Sequence, residues 1–151
     1  MPVILTTLYD AQTIRRRVEE LAADLLRHVG LPVRVDSLPA GSYVHHASTG
    51  QLTMRGRLKL DVKDRHVLLI DDILDTGFTL AELRKMILAD GAASCRTCVL
   101  FDKAIPPEKK KAKPDWFGFR APPQYLVGCG MDSDELYRNL PDICILRESE
   151  P

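Results

Sequence analysis

Residues 67–80, VLLIDDILDTGFTL, carry the strongest structural signal in this chain of 151 residues. The first four are apolar and predict a buried strand, at whose end stand two adjacent carboxylates, Asp71 and Asp72. Asp75 opens a short turn that contains Gly77, and apolar residues at helical spacing follow it. The predicted helix has apolar positions at Leu80, Leu83, Ile87 and Leu88 and ends at Asp90 and Gly91. The stretch therefore predicts a strand, a turn and a helix of an α/β protein.

The turn of residues 75–79, DTGFT, has the composition of a phosphate site. Backbone N–H groups in such a turn, together with the N-terminus of the helix, attract an anion. The carboxylates before the turn can accept hydrogen bonds from sugar hydroxyls or hold a divalent cation. The alternative is a unit with surface acids that binds nothing, but three closely spaced carboxylates rarely end a buried strand for packing reasons. The pattern therefore predicts a site for a phosphorylated, hydroxylated ligand.

The length and composition predict one soluble globular domain over residues 1–151. Hydrophobic residues make up 45% of the chain and charged residues 28%, which excludes a disordered or membrane-spanning class. The 21 basic and 21 acidic residues balance, so no nucleic-acid or membrane partner is expected. No secretory pattern is found at the N-terminus, and we expect a cytoplasmic protein.

The four cysteines raise the question of a disulfide or a metal site. Cys95 and Cys98 have the Cys-x-x-Cys spacing, but the predicted strand at residues 95–101 would direct them to opposite faces. Zinc sites with this spacing usually need a second pair of ligands, which the sequence lacks. Buried, reduced thiols are therefore predicted.

The rest of the chain alternates predicted helices, strands and loops. Asp10 is predicted to cap a helix that runs to about residue 28, and a strand is expected over residues 32–38. Residues 40–58 predict a long loop or a mobile hairpin. The apolar stripe of the first helix is Ile14, Val18, Leu21, Leu25 and Leu26.

The second half continues this alternation. Residues 104–114 contain three prolines and the lysines 109–111, and they predict an exposed, solvated connection, with an anion-binding loop as the alternative. Further strands are predicted at residues 116–119, 125–127 and 143–146, with a turn at residues 128–132. The order of elements predicts an α/β fold with a mostly parallel, twisted sheet flanked by helices, and a ligand over the carboxyl ends of its strands.

Residues 67–80 closely resemble the 5-phosphoribosyl-1-pyrophosphate (PRPP) motif of the type I phosphoribosyltransferases. The pair Ser42 and Tyr43, with the Ser-Thr-Gly of residues 48–50, resembles the flexible active-site loop of the hypoxanthine-guanine phosphoribosyltransferases. Four later motifs resemble the purine-binding half of that family: LFDK at 100–103, PDWFGF at 114–119, YLVGCGMD at 125–132 and YRNLP at 137–141. The resemblance implies the type I phosphoribosyltransferase fold, with Ser42 and Tyr43 in a loop that closes over the reacting groups.

The resemblance also implies purine salvage: magnesium-dependent transfer of phosphoribosyl from PRPP to hypoxanthine or guanine, which yields IMP or GMP and pyrophosphate. It implies a homodimer or homotetramer. Asp75 matches the general base, while Asp71 and Asp72 match the acids that contact the ribose hydroxyls directly or through Mg²⁺. The 5′-phosphate cradle matches the amides and hydroxyls of Thr76, Gly77, Phe78 and Thr79.

On the purine side, Lys103 matches the lysine that donates to the 6-oxo group, where a solvated lysine is the alternative. Tyr125 matches the aromatic residue that stacks on the base, where an ordinary core aromatic is the alternative. The backbones of Leu126 and Asp132 match groups at the purine 2-position. Asp132 also matches a magnesium ligand, and Arg138 matches a residue that reaches pyrophosphate.

One part of the family pattern has no counterpart here. The family carries a buried strand that ends in a pyrophosphate-binding loop after its first helix, whereas residues 20–30 predict one continuous helix. We therefore expect the sheet to lose a central strand and expose an apolar face unless a partner covers it. The pyrophosphate site is expected to lose hydrogen-bond donors.

Two other function classes follow from these features. A catalytically impaired nucleotide-binding or regulatory protein on the same fold is the main alternative. An RNA-binding regulator would need a basic face, for which only residues 15–17 and 109–111 are candidates. The neighbours His45 and His46 resemble a metal pair, but two histidines in a polar loop more often bind nothing.

Overall fold

The computed structural model describes residues 3–26, 32–38, 40–44, 47–54 and 58–148. It contains two α-helices, eight strands and one short 3-10 helix at Pro107–Lys109 within those residues. The elements are β1 (Val3–Tyr9), α1 (Ala11–Leu26), β2 (Ala40–Val44), β3 (Ala47–Met54), β4 (His66–Leu74), α2 (Phe78–Ala89), β5 (Ser94–Lys103), β6 (Trp116–Ala121), β7 (Tyr125–Val127) and β8 (Ile143–Glu148).

A parallel sheet with the order β4-β5-β6 forms the centre of the fold. In its register Ile70 lies beside Cys98, and Cys98 lies beside Trp116. The helix α2 connects β4 to β5 and packs on both strands. Leu74, Leu80 and Val99 form the buried cluster between them. The predicted α/β fold is therefore confirmed, and both β4 and β5 extend past their predicted ends.

The strand β4 lies at the edge of this sheet among the described strands. Its residues alternate between exposed and partly buried, and Ile70 is 71% exposed. The prediction of a fully buried strand was therefore wrong, because among the described strands β4 has a neighbour on one side only. Residues 32–38 form no strand, so that prediction was also wrong, and Val33 and Val35 are exposed. An exposed apolar face is what the missing family strand led us to expect.

A second, antiparallel sheet has the order β1-β8-β7. The strand β1 was not predicted from the sequence; in it Val3 pairs with Glu148 and Thr7 with Cys144. Next to this sheet, Tyr9 stacks on Phe119 with ring centroids 4.4 Å apart. The core here contains the buried residues Ile14, Phe101, Ala121, Leu126, Met131, Ile143 and Ile145.

The helix α1 begins as its sequence predicts. Asp10 Oδ1 accepts a hydrogen bond from the Thr13 N–H at 2.7 Å, which satisfies one free donor of the first turn. On the predicted apolar stripe Ile14 and Leu21 are buried, whereas Val18 is exposed. The predicted helix end at residue 28 lies outside the described residues.

The helix α2 begins directly after the turn of residues 75–79. Gly77, its N-cap, has a φ of 79°, a left-handed conformation that favours glycine. Leu80, Leu83 and Ile87 are buried as predicted, but Leu88 is exposed. The helix ends at Asp90, as predicted.

The described cysteines are all free thiols. Cys95, Cys98 and Cys144 are buried, as expected for reduced thiols in a core, whereas Cys129 is exposed. Burial raises the pKa of the Cys95 and Cys98 thiols, which makes both poor nucleophiles. Of the helices that the structure describes, none has the length and apolar character to span a membrane.

Candidate active site

Asp71 and Asp72 lie near the carboxyl end of β4. Asp71 is partly buried, and this burial together with the charge of Asp72 raises the pKa of Asp71 to about 6. Asp71 Oδ1 accepts a hydrogen bond from the Asp72 N–H at 3.1 Å. Neither carboxylate forms an ion pair with any residue of the described ranges. Two such carboxylates fit a divalent cation or sugar hydroxyls, either of which favours the charged form.

The turn of residues 75–79 presents backbone donors at the N-terminus of α2. The Gly77 carbonyl accepts the Ala81 N–H at 2.9 Å, which is the first hydrogen bond of the helix. Thr76 Oγ1 accepts the Phe78 N–H at 3.3 Å. A helix N-terminus with a glycine turn attracts an anion, because its first N–H groups lack helical partners. Thr79 lies in the first turn of α2.

Asp75 and Lys103 are brought together from two strand ends. Lys103 Nζ donates to Asp75 Oδ2 at 3.0 Å, and the side chains are 8% and 28% exposed, respectively. The carboxyl ends of the parallel strands β4 and β5 meet at one edge of the sheet, which explains the contact. Lys103 Nζ also lies 6.0 Å from the ring centroid of Tyr125. Asp75 is therefore the residue that joins the phosphate turn to the candidate purine residues.

Tyr125, Asp132 and Arg138 form a second connected group. Tyr125 Oη donates to the Asp132 carbonyl at 3.1 Å, and burial raises the pKa of Tyr125, with the charges of Asp132 and Asp134 adding to the effect. Arg138 Nη2 lies 2.8 Å from Asp132 Oδ1, and Arg138 Nη1 donates to the Gly130 carbonyl at 2.8 Å. These contacts tie the turn of residues 128–132 to the side chain of Arg138.

Leu126 is placed differently from its neighbours. Its side chain is 4% exposed and belongs to the core, and its backbone pairs with Ile145 of β8. Only its backbone is therefore a candidate for ligand contact, as the family resemblance implied.

Other predictions about the site stay untested by the residues that the structure describes. Ser42 and Tyr43 lie on β2, which pairs with β3 as a hairpin, and their side chains are outside what the structure describes. His45 and His46 lie outside the described residues. Within the described ranges no three His, Cys, Asp or Glu residues gather into a group that could hold a metal ion. The assignment of Asp71, Asp72 and Asp132 as metal ligands therefore stays a prediction, and Asp132 is paired with Arg138 in this structure.

Sequence reasoning missed an ion cluster beneath the site. Asp102 is 1% exposed, and its two carboxylate oxygens pair with Lys110 and Arg120. The prediction that residues 104–114 form a purely exposed connection was wrong for Lys110, whose side chain is 10% exposed. A signal was present, since a charged residue within a buried strand needs a partner. The identity of that partner depended on the fold.

Comparisons with known proteins point to one family. The sequence model of the phosphoribosyl transferase domain matches residues 13–134. A hypoxanthine-guanine-xanthine phosphoribosyltransferase from Tritrichomonas foetus is 34% identical over 167 residues, covering 94% of this chain and 91% of the relative. A hypoxanthine-guanine phosphoribosyltransferase from Streptococcus pneumoniae R6 is 38% identical over 129 residues, covering 83% and 70%, respectively.

Solved structures lead to the same family. A hypoxanthine-guanine-xanthine phosphoribosyltransferase matches with a TM-score of 0.81 and 30% identity, covering 95% of this chain and 97% of that structure. The alignment with the Tritrichomonas foetus relative spans 167 positions but includes 94% of this chain, or about 142 of its 151 residues, so this chain lacks about 25 of the aligned positions. The chain belongs to the phosphoribosyltransferase family, and within it to the hypoxanthine-guanine type.

Proposed function

We propose that this protein transfers the phosphoribosyl group of PRPP to hypoxanthine or guanine, with Mg²⁺, and so forms IMP or GMP and pyrophosphate. The ion pair between Asp75 and Lys103, 3.0 Å apart, is the observation that carries the proposal. It connects a turn suited to a phosphate with a strand end suited to a purine. The related enzymes are named for hypoxanthine and guanine, and the Tritrichomonas foetus relative also for xanthine.

Lys103 selects the purine in this proposal. A lysine ammonium has three donors and no acceptor, so it favours the 6-oxo group of hypoxanthine and guanine over the 6-amino group of adenine. Tyr125 stacks on the base, and its position 6.0 Å from Lys103 Nζ supports this role. The backbones of Leu126 and Asp132 contact the 2-position.

The phosphate and ribose groups of PRPP bind at the turn and at the end of β4. Amides and hydroxyls of residues 76–79 hold the 5′-phosphate. Asp71 and Asp72 accept hydrogen bonds from the ribose hydroxyls, and they fit Mg²⁺, which takes carboxylate oxygens together with substrate phosphate oxygens. When bound, the ion neutralises charge on the pyrophosphate leaving group. Asp132 contributes as a further metal ligand only if it leaves its ion pair with Arg138.

The reaction breaks the bond between C1 of the ribose and the pyrophosphate oxygen, which keeps the electron pair. Positive charge develops on the sugar, and the carboxylates of Asp71 and Asp72 stabilise it. A purine nitrogen forms the new bond to C1, and Asp75 accepts the proton that the purine loses. Lys103 orients Asp75 for this step through the contact to Oδ2.

Four further assignments belong to this proposal. Arg138 binds pyrophosphate, and the hairpin with Ser42 and Tyr43 excludes water from the charged intermediate. Residues 1–151 act as one domain, and copies assemble into a dimer or tetramer. The cytoplasmic location stays a prediction.

The alternative is a nucleotide-binding protein that has lost turnover. Two observations favour it: this chain lacks aligned positions that the Tritrichomonas foetus relative has, and β4 has no described neighbour on one side. Both agree with loss of the strand that carries pyrophosphate donors. Radiolabelled hypoxanthine with PRPP and Mg²⁺ tests for turnover, and a thermal-shift assay with GMP tests for binding. Conversion to IMP supports the enzyme, whereas stabilisation by GMP without conversion supports the binder. Absence of both overturns both functions.

A further inference from the structure

We propose that residues 110–112, here called the strap, hold the turn of residues 75–79 from the side opposite its phosphate-binding N–H groups. In this way the strap sets the affinity of the turn for phosphate. This inference rests on the proposed function of the turn. The strap is anchored through Lys110 to buried Asp102, the residue next to Lys103. Asp102 would then hold both the purine side of the site, next to Lys103, and the phosphate side, through the strap.

The first step is a backbone hydrogen bond. The Lys111 N–H donates to the Thr76 carbonyl at 2.6 Å. The peptide bond between Thr76 and Gly77 is trans, so the Thr76 carbonyl and the Gly77 N–H point in opposite directions. The hydrogen bond from Lys111 therefore turns the Gly77 N–H away from the strap. That N–H is one of the donors the proposed function assigns to the 5′-phosphate.

The second step is close packing between the strap and the turn. A Cβ atom on Gly77 would lie 3.0 Å from the Ala112 nitrogen and 3.1 Å from its Cβ and carbonyl oxygen. The turn therefore has no room to tilt toward the strap. Gly77 is required here for this contact as well as for its φ of 79°.

The third step is the anchor. Lys110 Nζ pairs with Asp102 Oδ1, and the two side chains are 10% and 2% exposed. Arg120 pairs with the other oxygen, and its guanidinium lies 4.4 Å from the ring centroid of Phe117. Breaking a buried ion pair leaves an uncompensated charge, so this anchor holds the strap firmly. The strap thus acts through the turn as a positioning element and need not touch the substrate.

Lys111→Pro tests the hydrogen bond, because proline has no N–H. Lys110 has φ −76° and ψ 126°, the extended conformation that a residue before proline prefers. Lys111→Ala is the matched variant, since it loses the side chain and keeps the N–H. The measurement is the affinity for GMP and for guanosine, which differs only in lacking the 5′-phosphate.

We expect Lys111→Pro to bind GMP about tenfold or more weakly than Lys111→Ala, with guanosine affinities within about twofold of each other. Equal GMP affinities, or equal losses for GMP and guanosine, would overturn the inference. If Lys111→Pro does not fold, Lys110→Met decides, because it removes the anchor and keeps an aliphatic side chain. The same selective loss of GMP binding is expected there, and unchanged GMP binding refutes the strap. Wild-type protein that binds no GMP would refute the proposed function and the strap with it.

Discussion

Lys103 Nζ donates to Asp75 Oδ2 at 3.0 Å, and this contact joins the ends of two adjacent parallel strands. The lysine side chain is buried, and a buried charge needs a partner, which the carboxylate of Asp75 provides. Asp75 starts the turn that leads to α2, and Lys103 ends the strand that leads to the strap. A change at either residue therefore alters both the proton acceptor and the purine donor.

Asp75→Asn should lower kcat by about 100-fold or more, because an amide cannot accept the purine proton. The affinity for PRPP should change by less than about fivefold, since the backbone of the turn keeps its donors. Steady-state kinetics with hypoxanthine, and binding of PRPP by calorimetry, separate the two effects. Asp90→Asn at the far end of α2 is the control. If Asp75→Asn retains kcat within a few-fold of wild type, Asp75 is not the general base.

Lys103→Gln should reduce the preference for hypoxanthine over adenine by about tenfold or more, because a glutamine amide can donate to a 6-oxo group or accept from a 6-amino group. The measurement is the ratio of kcat/KM for the two bases. Lys85→Gln, a change at a lysine whose side chain is 73% exposed, controls for the lost charge. A preference that survives in Lys103→Gln would assign base selection to other residues.

Because of Asp71, the free energy of unfolding should fall as the pH rises. Burial and the charge of Asp72 raise its folded pKa to about 6 from an ordinary value of 3.8, so the folded protein binds more protons than the unfolded chain between these values. Asp71→Asn removes this dependence. We expect its gain in Tm over wild type to grow by several degrees from pH 4 to pH 7 without magnesium.

The matched control for Asp71 is Asp115, which has the opposite shift. Burial acts to raise the pKa of Asp115, but hydrogen bonds from Arg96 and Thr97 lower it overall. Its contribution to stability is therefore present above the ordinary value of 3.8 and is lost as the pH falls. Asp115→Asn should lower Tm at pH 7. If Asp71→Asn lowers Tm at pH 7 as well, Asp71 is not destabilised by burial.

The parallel core and its turn could be predicted from the sequence because their signals are local. The apolar run of β4, the glycine of the turn and the helical spacing after it lie within residues 67–91. The ion pair of Asp75 with Lys103 was not predicted, because it depends on two strand ends that become neighbours only in the folded sheet. The strand β1 had no comparable signal, because most of its residues are exposed and its partner is β8, at the other end of the chain.

Two incorrect predictions, the strand at residues 32–38 and the exposure of Lys110, have a similar physical cause. Val33 and Val35 alternate with polar residues, but alternation alone does not form a strand without a neighbour to pair with. Lys110 lies in a run of three lysines, which predicts exposure to solvent. In the fold, however, its ammonium pairs with the buried carboxylate of Asp102. Both errors concern which groups become neighbours in the folded chain, which the local pattern of residues does not indicate.

The open edge of β4 should promote self-association. Ile70 is 71% exposed on a strand with one described neighbour, and an apolar strand edge is a template for pairing with another chain. Ile70→Lys should shift the protein toward monomer, because a charge on the edge opposes pairing. Sedimentation velocity over a range of concentrations measures this shift.

Val35→Lys is the matched control for Ile70→Lys, because Val35 is 88% exposed but lies outside the parallel sheet. It should leave the distribution of species unchanged. Since both positions are exposed, neither substitution should change the free energy of unfolding by more than about 0.5 kcal/mol. If Ile70→Lys leaves the assembly as it is in wild type, or both variants alter it equally, the edge of β4 is not the contact surface.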